Sequence, residues 1–415
     1  MADPVTGTDV PPLHRNRDFL LLWSGAAVSF LGNRVSAYAY PLLVLWHTGS
    51  PLAMSAVSCA ALLPLLVVQL PAGALVDRWD RRRVMLACEA GRFLALGSVV
   101  TVLALGAFAP AHLVLVAFAE STLAVCYRLA ERGAVRNVVH PTQLPPAISR
   151  NEARGRAAAL LGQPGGVLLQ TVAHWAPFAF TAGAHLLSLL TLMLIRRPFQ
   201  ERRPAGRRAL RQDIAQGLRW LNGHRFLRAA LGFLAAANLL LQAVPLALLL
   251  LVKEEGAAKA AVALIVGAGG LGGVFGALTG GWWERHLSRR TIFVLGLACW
   301  AVLTCAMVWA RDPVLLGALF AGTGFVGAVF NVVGAVVQTR ATPDALQGRV
   351  VGVSYLLGSG ANALGALLGG LTLAAWGPAV TLLLVGALLT ALATAAALAP
   401  ALHTRHDLRE GPVTP

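Results

Sequence analysis

Apolar runs of about twenty residues, separated by short polar breaks, recur from Phe19 to Ala399. A helix of that length crosses a hydrocarbon core of about 30 Å, and helices satisfy their own backbone polar groups in lipid. The runs cover Phe19–Trp46, Leu52–Val76, Val84–Ala107, His112–Leu129, Ala157–Val172 and Phe178–Ile195 in the first half. Those of the second half are Ala229–Val252, Ala258–Trp283, Thr291–Ala310, Val314–Val337, Val350–Ala375 and Ala379–Ala399. A soluble fold is excluded by charge: a globular domain carries about 25% charged residues, and this 415-residue chain carries 13%. The pattern predicts an all-α polytopic membrane protein with twelve transmembrane helices.

The net charge is +16, which in a soluble chain would suggest nucleic acid as a partner. Its distribution argues otherwise, because the arginines lie in alternate breaks between spans and form no single patch. One side collects Arg15, Arg17, Arg78–Arg83, Arg128–Arg156, Arg196–Arg228, Arg285–Arg290, Arg340 and Arg349. The other collects Lys253, Lys259 and Arg311, each beside or near an acidic residue. The positive-inside rule then places both termini in the cytoplasm. Cys59, Cys88, Cys126, Cys299 and Cys305 form no Cys-x-x-Cys pair. They read as small hydrophobes, and no metal site is expected. No Ala-x-Ala site follows a short apolar core, so no cleavable signal is expected.

The two halves echo one another. Arg34, Tyr38 and Pro41, on one face of the first span, have the spacing of Asn238, Gln242 and Pro245 in the seventh. Gly73-x3-Asp77-Arg78-x3-Arg82-Arg83 returns as Gly280-x3-Glu284-Arg285-x3-Arg289-Arg290, and Pro141-x2-Leu144 as Pro343-x2-Leu346. Ordered matches at nearly one offset predict two parallel six-helix bundles, at 19–195 and 229–400, with a site between them near the midplane. Residues 1–18 read as a cytoplasmic arm, the first of them disordered, and 401–415 as a cytoplasmic tail. Residues 196–228 read as a linker whose Leu210, Ile214, Leu218 and Leu221 stripe predicts an amphipathic helix on the membrane surface.

Gly73, Asp77, Arg78, Arg81 and Arg82 fill the loop signature Gly-x3-Asp-Arg-x-x-Arg-Arg between the second and third spans. With that loop the whole chain resembles a major facilitator superfamily (MFS) transporter. Leu31-Gly32, Thr48-Gly49-Ser50-Pro51-Leu52-Ala53, Leu70-Pro71-Ala72-Gly73 and Thr342–Val350 resemble the prokaryotic exporter branch that includes siderophore and macrolide efflux proteins. The resemblance implies a cavity lined by the first, fourth, seventh and tenth helices. It also implies a gate in which Asp77 engages the other half, with Glu284 and Arg285 as the second-half counterpart. Two features depart from the pattern: Asn33 stands where members often carry an acid, and Gly162-Gln163-Pro164-Gly165-Gly166 matches the fifth-helix Gly-Pro-x-x-Gly-Gly antiporter signature only in part.

Arg34 and Glu120 are the charges deepest inside spans. An intramembrane charge costs at least ~2.5–3.5 kcal/mol unless it faces water or a partner. They are expected to form a central pair that binds substrate, with Glu120 also taking a proton; a purely structural ion pair is the competing reading. Asn33 and Tyr38 share that stretch of the first span. Asn238, Gln242 and Asn331 offer hydrogen bonds either to substrate or between helices, the latter worth ~0.6 kcal/mol. Glu89 and Arg92 read as a local pair, and His174 and His185 as interfacial or packed.

No Gly-x4-Gly-Lys-Ser/Thr loop is present, so ATP is not the expected energy source; a proton gradient is, with no cofactor. No pattern of nucleophile or metal ligands points to an enzyme. The expectation is a monomeric plasma-membrane exporter of a small amphiphilic drug, antibiotic or siderophore-like metabolite, with protons and lipid as its other partners. An importer or facilitator of the same fold and a non-transporting scaffold are the alternatives.

Overall fold

The computed structural model describes residues 12–76, 78–195, 199, 210–343 and 346–400. Among them the α-helices group into twelve rods, numbered here as spans 1–12, plus a linker helix at Leu210–Gly223. Span 1 is Arg17–Thr48, span 3 Arg81–Ala104, span 4 Pro110–Val138, span 5 Leu144–Val172 and span 6 Ala176–Leu194. Span 8 is Lys259–His286, span 9 Arg289–Ala306 and span 10 Pro313–Ala341. Spans 11 and 12 run without a loop from Gln347 to Leu398, divided at Gly377 with φ 75° and ψ 179°. A positive φ is available to glycine without a steric penalty, and Pro378 then opens span 12.

Local chemistry sets the ends and the breaks. Asn16, Ser50, Asp80 and Ser288 cap their helices by accepting from the backbone N–H three residues on. Span 2 is three pieces, Pro51–Leu62, Pro64–Val67 and Gln69–Val76. Span 7 is two, Arg225–Leu241 and Ala243–Glu254, with Gln242 at the break. A proline removes the bond to the carbonyl four residues before it and crowds that carbonyl, which puts the strain at Ala60, Val67 and Leu241 for Pro64, Pro71 and Pro245. Pro41 and Pro164 are carried inside continuous helices.

Two expectations from the sequence are corrected. Arg128–Arg156 is no polar break: spans 4 and 5 continue as helices through most of it and meet in a short turn at 139–143. Arginine is a good helix former, so hydropathy marked the edge of the apolar stretch and missed the end of the helix. The arm is also shorter than expected. Leu13 is buried, and Asn16 donates to the Val138 carbonyl at 3.0 Å, tying the start of span 1 to the end of span 4. The linker helix is present. Its Leu221 is buried in the second-half core, Leu218 is exposed, and Gln216 accepts from Arg349 at 2.7 Å, so the helix docks on span 11.

Packing repeats between the halves. A Cβ on Gly166 of span 5 would collide with the Val35 carbonyl of span 1, and one on Gly365 of span 11 with the Leu239 carbonyl of span 7. Arg82 donates to the Met193 carbonyl near the end of span 6 at 3.1 Å, and Arg290 to the Ala397 carbonyl near the end of span 12 at 2.7 Å. Both pairs keep the sequence offset of the repeat to within a few positions. Small residues bring backbones together in lipid; Gly272 and Gly276 of span 8 leave no room for a side chain against Ala321 and Phe325 of span 10.

The halves meet through span 2 against span 11 and span 5 against span 8. At one end, Leu42, Leu45 and Met54 join the second-half core that contains Leu246, Leu249 and Val262. Lys253 there donates to the Leu45 carbonyl at 2.6 Å, and Lys253 and Lys259 lie over the Trp46 ring. At the arginine-rich end the halves stand apart around a cavity.

Candidate functional site

A cavity of about 790 Å³ lies between the halves. Its wall descends span 4 from Ala117 to Arg136 and reaches Leu144 and Ile148 beyond the turn into span 5. The cavity therefore extends to the arginine-rich end, while the Lys253 end is sealed.

Asn33, Arg34 and Tyr38 of span 1, Glu120 of span 4 and Gln242 of span 7 all line it. Pro41 and Pro245, the matched prolines of the repeat, line it too. Asn238 and Asn331 do not; Asn238 faces Gly358 of span 11, and Asn331 is exposed on span 10. Span 10 contributes nothing to the described lining, and Tyr355 of span 11 takes the place expected of it.

Arg34 and Glu120 do not pair. Glu120, only 2% exposed, accepts from Ser36 at 2.8 Å, Tyr40 at 2.7 Å and Asn33 at 3.4 Å. Those hydroxyls sit a turn apart on span 1 and close around one carboxylate. Arg34 points elsewhere, over the ring of Phe30 at 5.2 Å, and its Nε has no hydrogen-bond partner. Asn33 serves as a donor to an acid, Glu120.

Behind Glu120 lies a second carboxylate that sequence reasoning treated as peripheral. Glu89 of span 3 is fully buried and accepts from Ser29 at 2.7 Å and Ser188 at 3.2 Å. Its neighbour Arg92 is 3.5 Å away and donates to Ser29 at 3.1 Å. His185 of span 6 joins the carboxylates: its Nδ1 is 2.8 Å from Glu89 Oε2, and its Nε2 is 3.9 Å from Glu120 Oε1. Glu89, Arg92 and His185 stand far apart in sequence except for the first two, and only the packing of span 3 on span 6 and of span 1 on span 6 unites them. The legible signal was the run of Ser29, Ser36 and Ser188, hydroxyls inside otherwise apolar helices.

A buried charge is retained only with partners, and here the charges can be counted. Two carboxylates face one guanidinium and one imidazole. With the imidazole uncharged, the count leaves one negative charge in excess.

The fifth-span motif acts through packing. Gly162 would bring a Cβ within 2.5 Å of Arg34 Cβ, Gly166 touches span 1, and Pro164 faces Gly267 of span 8. Gly165 has open space, and Gln163 lines the cavity. In the loop after span 2, Asp77 lies outside the described residues. Gly73 is half-buried with open space around it, and Arg78 is exposed. The guanidinium of Arg81 lies against Gly133 of span 4. Its second-half counterpart is an ion pair, Glu284 with Arg340 at 3.2 Å, and Arg285 is exposed.

The model of the transmembrane secretion effector family matches residues 8–410. The multidrug efflux pump Tap of Mycobacterium tuberculosis is 32% identical over 386 residues, which cover 86% of this chain and 87% of that one. Tap of Mycolicibacterium fortuitum is 30% identical over 374 residues, 85% and 88% of the two chains. Among solved structures, the nucleoside transporter NupG superposes with a TM-score of 0.72 at 15% identity, over 91% of this chain and 98% of its own, a likeness of fold. A family match along nearly the whole sequence, on a frame of two six-helix halves around a central cavity, means that the chain belongs to the transmembrane secretion effector family of major facilitator superfamily transporters.

Proposed function

We propose that this chain is a secondary active exporter that moves a small amphiphilic molecule across the plasma membrane by alternating access, in exchange for protons. The observation that carries the coupling is the Glu120–His185–Glu89 array, which meets the cavity at Glu120 and runs into the bundle behind it, and whose charge closes on one proton. Substrate entering beside Glu120 changes the environment of that proton, and the proton's return resets the site; a ligand shifts such an equilibrium only through its differential affinity for the two states. Multidrug efflux as the activity of the Tap relatives supports outward transport. Placement of the arginine-rich breaks supports both termini, and the open mouth of the cavity, on the cytoplasmic side.

The test is drug susceptibility of an efflux-deficient bacterial host across external pH, with the wild-type chain, the Glu120→Gln variant or an empty vector. Export predicts resistance to at least one amphiphilic drug that weakens with Glu120→Gln. Increased sensitivity with the wild-type chain would identify an importer, and no change for any compound would sink the transport reading.

A further inference from the structure

The positive and negative charges of the cavity are not matched. Glu131 is held by Arg154 at 2.7 Å, Glu89 by Arg92 and His185, and Glu120 by hydroxyls of span 1. Arg34 and Arg128 have no such partner, and Arg132, Arg136 and Glu152 also line the cavity without an ion pair among the described residues, so the unpaired charges are four arginines against one carboxylate. Among the described residues no carboxylate lies within 4.0 Å of the Arg34 or the Arg128 guanidinium. Arg34 lies over Phe30, and Arg128 lies over Tyr355 of the opposite half at 6.0 Å. Arg34, Arg128, Phe30 and Tyr355 all line the cavity.

Two like charges on spans of one half that line the same cavity raise one another's energy. A guanidinium meets that deficit with a planar fork that fits carboxylate, sulfonate or phosphate oxygens. Elsewhere the same cavity is lined by Leu62, Leu65, Leu246 and Leu249, a surface suited to a hydrocarbon or aromatic body. The positive-inside rule accounts for Arg132 and Arg136 at the mouth. It does not account for Arg34, which sits beside the Asn33 that reaches Glu120.

We propose that Arg34, Arg128 and Tyr355 form an anion-binding subsite, and that the transported molecule is an amphiphile bearing a carboxylate, sulfonate or phosphate group. The assignment of the anion as cargo rests on the export reading; the subsite does not.

The test uses the full chain in lipid nanodiscs with no gradient. The probes are 8-anilinonaphthalene-1-sulfonate and its uncharged congener N-phenyl-1-naphthylamine, each read by fluorescence against empty nanodiscs. The wild-type chain is expected to bind the sulfonate saturably, and Arg34→Gln or Arg128→Gln to weaken it about tenfold or more, the usual worth of a charge-assisted hydrogen bond. Binding of the neutral congener stays within about twofold, since apolar burial is non-directional and indifferent to these heads. Arg34→Lys keeps the charge without the fork and is expected to fall between. A salt titration of the wild-type chain gives a reading that needs no variant: salt weakens sulfonate binding and spares the neutral probe. Sulfonate binding that ignores salt or both arginine substitutions, or an equal loss of both probes in folded variants, overturns the proposal. A chain that discriminates the probes but confers no resistance refutes export alone, and one that exports without discriminating them refutes the subsite alone.

Discussion

His185 Nδ1 lies 2.8 Å from Glu89 Oε2, and both side chains are wholly buried. The contact ties span 6 to span 3, and the far side of the same ring turns toward Glu120 of span 4. Stability and the proposed coupling therefore involve the same cluster, and substitutions can separate them.

Replacing Glu89 with alanine removes the carboxylate nearest to Arg92 and His185 and leaves only Glu120, 3.9 Å from His185 Nε2, to face them. Breaking a buried pair from one side costs about 3–5 kcal/mol, so Glu89→Ala is expected to lower the thermal unfolding midpoint in detergent markedly. Removing both charges with Glu89→Gln and Arg92→Gln together is expected to recover most of the loss. Equal instability in the single and double variants would show that packing, not charge, is at stake.

Glu120→Gln removes the ionisable group and keeps one of the two acceptor oxygens, which Ser36 and Tyr40 use separately. Substrate exchange in proteoliposomes without a gradient is expected to persist. Accumulation driven by an imposed pH difference is expected to vanish, because the cluster no longer gains and loses its proton during the cycle. Loss of both activities would instead make Glu120 part of the substrate contact.

Neighbouring glycines of the fifth-span motif should behave oppositely. Gly166 lies against the Val35 carbonyl, and a methyl group there must push two helix backbones apart; Gly165 faces open space. Overpacking costs about 1–3 kcal/mol, so Gly166→Ala is expected to reduce folded yield and melting temperature, and Gly165→Ala to leave both unchanged. The comparison needs only size-exclusion profiles and a thermal ramp.

The twelve-rod frame was legible because lipid makes a long apolar helix nearly obligatory, and the repeat was legible because Pro41 and Pro245, or Gly73 and Gly280, keep one spacing. The central network was not. Glu89 and Arg92 stand one turn apart, and a local pair explains them fully until His185, nearly a hundred positions on, is brought against them. Arg34 misled for a related reason: its depth in the span implied a partner, but depth does not fix the direction of a long side chain, and the ring of Phe30 and the cavity took the place of Glu120. The breaks that Pro64, Pro71 and Pro245 make in spans 2 and 7 went unread in the sequence, and hydropathy lost the arginine-bearing ends of spans 4 and 5, which stay helical outside the apolar layer.

The sealed end offers the last test. Lys253 donates to the Leu45 carbonyl and lies over Trp46, joining span 7 to span 1 where the halves close. Lys253→Met keeps the stem and removes the hydrogen bond, worth about 0.5–1.5 kcal/mol, and the cation–π contact, worth about 0.5–1 kcal/mol at an exposed site. Together they shift the balance toward the state open at that end by roughly tenfold. In a chain with its native cysteines replaced, Gln242→Cys reports the shift, because Gln242 lines the cavity and is shielded from that end by the seal. Labelling by a membrane-impermeant maleimide from the Lys253 side is expected to quicken in the Lys253→Met background, and labelling from the arginine-rich side to slow. Unchanged rates from both sides would mean that Leu42, Leu45 and Leu249 hold the seal without help from the lysine.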